Sequence, residues 1–259
     1  MPNPVAHSLA VTASVLASTA AGWRGAMQRR ARSVATDPNS TPLPQLFDME
    51  GCPYCRVVRE ALSELQLDVE VYPCPKGGTR FRPRAAELVG RKTTFPVFYD
   101  VERGRAMPES ADIVEYLWEH YDSGRAVRPN ALTYATSSLA TAMRPTRGFR
   151  ARPSRGPAQL LELYSFEASP YSRLVRERLT ELELPYRLWQ LAKEQRSDIG
   201  PANARLTLGK WTPVPGGRRE AMIARTGRAQ VPCLVDPNTG RTLFESADII
   251  GYLESTYAL

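Results

Sequence analysis

The chain has 259 residues, of which 42% are hydrophobic and 24% are charged, and its formal net charge is +7. This composition is ordinary for a soluble globular protein with one large domain or two small ones. The positive excess lies in two acid-free stretches. The sequence lacks the zinc-ligand spacing, the recognition helix and the mixed aromatic and basic strands of nucleic-acid-binding domains, so we expect no nucleic-acid partner.

The first of these stretches, residues 1–36, is rich in Ala, Ser, Thr and Arg, which is typical of an organelle transit peptide. A similar segment lies in mid-chain, however, where Leu139 and Arg147 repeat Leu16 and Arg24 at a spacing of 123. We therefore expect a short amphipathic helix before each domain. Its predicted apolar stripe consists of Leu9, Leu16, Ala20, Trp23 and Met27. A transit peptide and a membrane-surface helix stay as alternatives, and we expect no transmembrane segment.

The next elements follow in the order β-α-β, a connection, then β-β-α. "PQLFDM" and "DVEVYP" read as strands on either side of a helix that begins at "CPYC" and carries Val57, Val58, Ala61, Leu62 and Leu65. "PVFYD" is a third strand, and the loop "VERGR" leads into a fourth. "ESADIVEYL" predicts a helix with Ser110 as its N-cap.

The same elements return in the second half of the chain. A shift of 117 places Ser169 and Ser172 on Cys52 and Cys55, and "LTELEL" on "LSELQL". "VPCLVD" and "ESADIIGYL" match their counterparts at a shift of 136, so the second copy holds 19 more residues within 193–229. We expect a long exposed loop with a short helix there.

These repeats divide the chain into four segments. Residues 1–42 form an N-terminal helix and linker, and 43–121 form the first domain. Residues 122–159 form a linker with the repeated helix, and 160–259 form a second domain without redox activity. We expect the two domains to pair within one chain.

Four cysteines are too few for a disulfide scaffold, which suggests a reducing compartment: the cytoplasm or, alternatively, a plastid or another organelle stroma. His7 and His120 do not accompany a second ligand pair, so we expect no metal site. We interpret Cys74 and Cys233 as structural. A regulatory or intermolecular disulfide at Cys74 and a second-site thiol at Cys233 are the alternatives.

Cys52 and Cys55 are the candidate catalytic residues. Cys52 lies where a strand meets a helix, so backbone N–H groups and the helix dipole would stabilise its thiolate. Arg56 and Arg59 would add positive potential. Cys55, one turn further, should be more buried. Cys52 would attack a disulfide, and Cys55 would resolve the mixed disulfide.

"CPYC", the x-Pro strand and "ESADI" together resemble the glutaredoxin-like domain of the thioredoxin superfamily that forms the N-terminal half of glutathione S-transferases. The resemblance covers about residues 43–121 and 160–258. It implies an α/β protein with two thioredoxin-fold domains in tandem and glutathione as the cofactor. It also implies that Pro96 and Pro232 are cis and that the backbones of Phe95 and Val231 pair with the cysteinyl part of glutathione.

In the same resemblance, Glu109-Ser110 and Glu245-Ser246 would hold the γ-glutamyl end of glutathione, with a plain helix cap as the alternative. The full set of candidate glutathione contacts is Tyr54, Arg56, Phe95, Pro96, Glu109, Ser110, Ser169, Val231, Pro232, Glu245 and Ser246. Ser169 cannot exchange disulfides, although a serine in this place binds the glutathione thiolate in some transferases. Because no all-helical domain follows the second repeat, conjugation to electrophiles is not expected.

The predicted function is glutathione-dependent exchange with protein or small-molecule disulfides, including deglutathionylation. The second domain would be a scaffold or a degenerate glutathione site. Three alternatives stay open: a non-enzymatic glutathione-binding or assembly protein, a glutathione transferase-like protein working with a separate helical partner, and an iron–sulfur carrier. The carrier would hold its cluster with Cys52 of two chains and glutathione.

Overall fold

The computed structural model describes residues 3–29, 42–90, 94–122, 127–201, 205 and 209–259. Parts of the predicted N-terminal segment (30–36) and of the predicted insertion (202–204 and 206–208) lie outside the described residues. The first repeat consists of β1 (Gln45–Asp48), α2 (Pro53–Glu64), β2 (Val69–Pro73), α3 (Arg82–Val89), β3 (Val97–Asp100), β4 (Arg105–Met107) and α4 (Ser110–Tyr121).

The second repeat has the same order of elements. It consists of β5 (Leu161–Ser165), α6 (Pro170–Glu181), β6 (Tyr186–Gln190), a 3-10 turn (Arg196–Asp198), α7 (Arg218–Thr226), β7 (Cys233–Asp236), β8 (Arg241–Phe244) and α8 (Ser246–Tyr257). A further helix precedes each repeat: α1 (Pro4–Ala20) and α5 (Ala131–Ala142). The predicted order of strands and helices is confirmed. The helix α3 was not predicted, since its eight residues begin with two arginines around a proline.

All eight strands form one sheet with the order β4-β3-β1-β2-β6-β5-β7-β8. Within each repeat, the first two strands are parallel and the third is antiparallel to the first. The repeats meet where β2 pairs antiparallel with β6, with Val71 opposite Tyr186. Each repeat therefore closes the open edge of the other, and a pseudo-two-fold axis passes between β2 and β6.

Alternating side chains divide the sheet into two apolar faces. On one face, Leu46 and Leu163 join a core that also contains residues of α2, α4, α6 and α8 and spans both repeats. On the other face, Phe47 packs in a cluster with Ala85 of α3, and Tyr164 packs in a cluster with Met222 of α7. The result is a three-layer arrangement in which helices cover the sheet on both sides.

The helix before each repeat packs on the opposite repeat. Helix α1 lies on α6, α5 lies on α2, and α1 and α5 also contact each other. The Ser14 and Ser18 hydroxyls of α1 donate hydrogen bonds to the Pro170 and Ala168 carbonyls, both at 2.9 Å. In the same way, the Ser137 hydroxyl of α5 donates to the Pro53 carbonyl at 2.8 Å.

The predicted apolar stripe of α1 is wrong. Leu9 and Leu16 are 67% and 54% exposed, whereas Ser14, Ala17 and Ser18 are buried. Small side chains let the backbone of α1 approach α6 closely enough for serine hydroxyls to reach carbonyl oxygens, and leucines on that face would hold the helices apart. Trp23 and Met27 lie beyond the end of the helix at Ala20.

The repeated Arg-Gly pairs also have a structural role. The Gly25 and Gly148 N–H groups donate to the carboxylates of Glu64 and Glu181 at 3.1 and 3.0 Å. Both glycines have positive φ, and a Cβ at Gly148 would lie 2.7 Å from that of Glu50. Only glycine combines this backbone with such close packing. Among the described residues, none of the helices has the length and apolar character needed to cross a membrane.

Candidate functional site

Cys52 is the N-cap residue of α2, directly after β1. Its sulfur accepts a hydrogen bond from the Cys55 N–H at 3.5 Å and lies 3.8 Å from the Phe95 carbonyl oxygen, next to β3. Pro53 takes the first helical position, where the missing N–H costs nothing. The Cys52 side chain is partly exposed, while Cys55 is fully buried.

The two thiols differ strongly in acidity. The hydrogen bond from the Cys55 thiol has the largest effect on Cys52. Together with the Cys55 and Tyr54 N–H groups and the charge of Arg59, it outweighs burial and lowers the pKa of Cys52 to about 7. Burial, and then the hydrogen bond and charge of Cys52, raise the pKa of Cys55. A partly exposed thiolate beside a buried thiol is the arrangement that disulfide exchange needs.

The segment opposite Cys52 enters β3 through a cis peptide bond between Phe95 and Pro96, and Val231 and Pro232 are joined by a cis bond at the same place in the second repeat. Both bonds have the geometry that the resemblance implies. Tyr54 lies on the open side of the dithiol: it is 55% exposed, and its ring is 5.4 Å from that of Tyr134 in α5.

The two "ESADI" helices begin one residue earlier than predicted. Glu109 and Glu245 are the N-cap residues, and neither makes a side-chain cap bond, so the predicted capping role of Ser110 is wrong. The Ser110 hydroxyl instead hydrogen-bonds the Tyr134 hydroxyl at 2.9 Å. In the second repeat, Ser246 makes the equivalent contact with His7 of α1 at 3.2 Å. Helices α5 and α1, each packed on the repeat that it does not precede, thus contact the candidate γ-glutamyl sites at Ser110 and Ser246.

Arg56 is not brought together with the other candidate glutathione contacts. Its side chain is buried at the interface between the repeats, where Nη1 lies 3.4 Å from the Glu167 carboxylate. Arg56 and Arg59 were both expected to favour the Cys52 thiolate, and of these two Arg59 lowers the pKa of Cys52.

Arg59 belongs to a buried group of four residues that we call the central charge cluster: Glu50, Arg59, Glu167 and Arg176. Each glutamate lies between an arginine of its own repeat and one of the other repeat, with separations of 2.9 to 3.3 Å. Burial opposes ionisation of Glu50, but Arg176 and Arg59 outweigh it and lower its pKa. The sequence signal for this cluster was a glutamate before each "PY" motif and an arginine nine residues after that glutamate. The ion pairs between repeats, however, join residues more than 100 positions apart.

The second repeat keeps the geometry of the first without thiols. Ser169 is the N-cap of α6, and its hydroxyl accepts a hydrogen bond from the Ser172 N–H at 3.3 Å. Both side chains are buried, and the Ser172 hydroxyl has no hydrogen-bond partner among the described residues. Cys233 lies buried in β7, and Cys74 is buried just after β2.

A cavity of about 1120 Å³ lies beside the serine pair rather than beside the dithiol. Four of the candidate glutathione contacts of the second repeat line it: Ser169, Val231, Pro232 and Glu245. We call it the second-repeat cavity. No group of three or more metal-ligating side chains occurs in the described part of the chain.

Comparison with protein families supports the repeat. The model of the glutathione S-transferase N-terminal domain matches residues 46–125 and again 163–259, which together make up more than half of the chain. Searches of curated proteins and of solved structures found no match. Two matches of one family model, each on a repeat with the thioredoxin-like order of elements, show that this chain belongs to the glutathione S-transferase N-terminal domain family and carries two copies of that domain.

Proposed function

We propose that the protein is a glutathione-dependent thiol–disulfide oxidoreductase whose reactive centre is Cys52. The observation that carries this proposal is the contrast between its partly exposed thiol, with a pKa near 7, and the buried thiol of Cys55. Near neutral pH, about half of the Cys52 side chains would be thiolate, which is the nucleophilic form.

With a glutathionylated substrate, the Cys52 thiolate attacks the glutathione sulfur. A Cys52–glutathione disulfide forms, and the substrate sulfur leaves as a thiolate that takes a proton from water. The thiolate of a second glutathione then attacks the glutathione sulfur bound to Cys52. Oxidised glutathione leaves, and the Cys52 thiolate is restored.

With a protein disulfide, the first attack joins Cys52 to one substrate sulfur and releases the other. Cys55 then loses its proton, attacks the Cys52 sulfur and releases the reduced substrate. Two molecules of glutathione reduce the resulting Cys52–Cys55 disulfide and leave as oxidised glutathione. The buried Cys55 thiol is a poor nucleophile towards solvent, so it acts only on the sulfur beside it.

Glutathione would lie along the segment that enters β3. The Phe95 backbone is the candidate partner of its cysteinyl part, since the Phe95 carbonyl already lies 3.8 Å from the Cys52 sulfur. Exposed Glu109, at the start of α4, suits the ammonium group of the γ-glutamyl end, and the N–H groups of α4 suit its carboxylate. In the second repeat, Ser169 would mark a tripeptide site without exchange chemistry. Four cysteines in 259 residues are too few for a disulfide scaffold, which agrees with a reducing compartment, and we propose the cytoplasm.

The test uses a glutathionylated peptide, glutathione, and a coupled assay of oxidised glutathione. Wild type should turn over, Cys52→Ser should not, and Cys55→Ser should keep deglutathionylation but lose reduction of a protein disulfide. Cys233→Ala, which removes a thiol far along the chain in β7, serves as the matched control and should match wild type. Failure of the wild type to exceed the uncatalysed reaction would reject the proposal.

A further inference from the structure

The second-repeat cavity is lined by Ser169 and Tyr171 at the start of α6 and by two further parts of the chain that form its walls. One wall is the segment after α1, which includes Trp23 and Met27, and the other is the stretch between β6 and β7. Backbone hydrogen bonds join them: the Lys193 N–H donates to the Ala26 carbonyl at 2.8 Å, and the Gln28 N–H donates to the Lys193 carbonyl at 3.0 Å. The corresponding stretch of the first repeat, between β2 and β3, is shorter, because the second repeat carries the 19 additional residues.

The size of the cavity exceeds what glutathione needs. Cavities that hold drug-sized ligands measure about 300 to 1,000 Å³, and this one measures about 1120 Å³. Its lining is mainly apolar and includes four aromatic residues: Trp23, Phe166, Tyr171 and Trp211. The Trp23 and Tyr171 side chains are 42% and 40% exposed, so a ring entering the cavity would remove aromatic surface from water.

The charged lining is strongly positive. Lys193, Arg205, Arg219 and Arg228 line the cavity, against two carboxylates. The charge of Arg219 is balanced by ion pairs, since its guanidinium lies 3.8 Å from the Glu194 carboxylate and 3.5 Å from the Asp198 carboxylate.

The other three cations have no ion pair among the described residues. The guanidinium carbons of Arg205 and Arg228 lie over the rings of Trp211 and Phe244 at 3.4 and 4.4 Å. The Lys193 amine lies 6.0 Å from the centre of the Phe166 ring.

The two carboxylates of the lining are already engaged. Asp198 accepts hydrogen bonds from the Trp211 indole N–H at 2.9 Å and from the Glu194 and Gln195 N–H groups. Glu245 accepts a hydrogen bond from the Gln230 amide. The cavity therefore offers unpaired positive charge next to exposed aromatic rings, and an anion is the group that this charge attracts.

We propose that the second-repeat cavity binds an anion that carries an aromatic ring system, such as an aromatic carboxylate or sulfonate. The anionic group would face Lys193 and Arg205, and the ring would lie against the aromatic walls. This site is distinct from the dithiol, and the proposal does not depend on the activity of Cys52. Burial, and then the charges of Arg219 and Arg205, lower the pKa of Lys193 to about 8 against the opposing effect of Asp198, which agrees with an excess of positive charge in the cavity.

The test uses two probes with the same rings: 1-anilinonaphthalene-8-sulfonate and its uncharged analogue N-phenyl-1-naphthylamine. Fluorescence titration of the wild type should show one saturable site for the sulfonate and at least tenfold weaker binding of the neutral probe. Lys193→Gln should weaken sulfonate binding about tenfold, as expected for the loss of one charged hydrogen bond. Arg205→Gln is the second variant and should weaken binding in the same direction.

Lys210→Gln is the matched control, because it removes the same charge from an exposed residue of the same stretch that does not line the cavity. It should bind the sulfonate like the wild type, and so should Cys52→Ser. Circular dichroism confirms that each variant is folded. Equal affinity for the two probes, equal sulfonate affinity of Lys193→Gln and wild type, or no saturable site would each overturn the proposal, whatever the result of the exchange assay.

Discussion

The acidity of Cys52 depends most strongly on the Cys55 thiol, so Cys55→Ala is the sharpest perturbation of the proposed centre. A hydrogen bond to a charged group contributes about 1.5 to 3 kcal/mol. At about 1.4 kcal/mol per pKa unit, its loss should raise the pKa of Cys52 by about 1 to 2 units. Cys55→Ser is the matched control because its hydroxyl can still donate, so its Cys52 pKa should stay near 7.

The difference is measurable as an alkylation rate. At pH 6.5 a thiol with a pKa of 7 is about one quarter ionised, whereas a thiol at the ordinary value of 9.0 is about 0.3% ionised. The lower intrinsic nucleophilicity of the more acidic thiolate offsets roughly eightfold of this advantage. We therefore expect wild-type Cys52 to react with iodoacetamide about tenfold faster than an ordinary thiol at this pH.

The assay is the pH dependence of iodoacetamide labelling at Cys52, followed by mass spectrometry so that the other three cysteines do not interfere. The wild type and Cys55→Ser should show a midpoint near pH 7, and Cys55→Ala a midpoint between about 8 and 9. A wild-type midpoint above pH 8, or identical curves for Cys55→Ala and the wild type, would refute the role assigned to the buried thiol.

Three further predictions concern stability. Because the Cys52 pKa is lower in the folded state, its thiolate adds stability mainly as pH rises from about 7 to 9. In denaturant titrations, the difference in unfolding free energy between wild type and Cys52→Ser should grow by about 2 kcal/mol over that range and should not change with pH below pH 6. Glu167→Gln removes one charged partner from the arginines of the central charge cluster and should lower the free energy of unfolding by about 3 kcal/mol or more. Glu87→Gln, in the exposed pair with Arg84, should lower it by less than about 0.5 kcal/mol. Similar losses from both variants would show that the cluster is not a stabilising unit. Ser172→Ala removes a buried hydroxyl that has no hydrogen-bond partner in the part of the chain that the structure describes, and it should raise the melting temperature, in line with a gain of about 1 kcal/mol. Ser169→Ala loses a helix cap and should lower the melting temperature by a similar energy; the opposite order would contradict this interpretation.

Local sequence patterns were enough to predict the order of strands and helices within each repeat. Val57, Leu62 and Leu65 lie at helical spacing, the strands are short apolar-rich segments, and Gly104 and Gly240 end the turns between the last two strands with positive φ. These features depend on residues close together in the chain, so they can be read without knowledge of the rest. The motif "CPYC" then places the thiol at the start of α2 for the same local reason.

Long-range packing could not be predicted in the same way. The burial of Ser14 and Ser18 in place of Leu9 and Leu16 depends on where α1 docks, and neither polarity nor periodicity of α1 reveals that it packs on α6. The pairing of β2 with β6 places Glu70 opposite Arg187, a match that is visible only once the register is known. The second-repeat cavity likewise depends on a contact between segments about 165 residues apart.

The two repeats differ in their motifs, with thiols in "CPYC" and hydroxyls in "SPYS", but they share one electrostatic unit that requires the arginines and glutamates of both repeats and no thiol. Arg59 favours the Cys52 thiolate, and Arg59 is itself held by Glu167 of the serine repeat at 3.0 Å. A buried guanidinium needs such partners, because an unpaired buried charge is costly. Serines at positions 169 and 172 leave this support intact, whereas loss of Glu167 would disturb both the interface and the acidity of the reactive thiol. The exchange chemistry proposed for the first repeat would therefore depend in part on the second repeat, through the glutamate that precedes the "SPYS" motif.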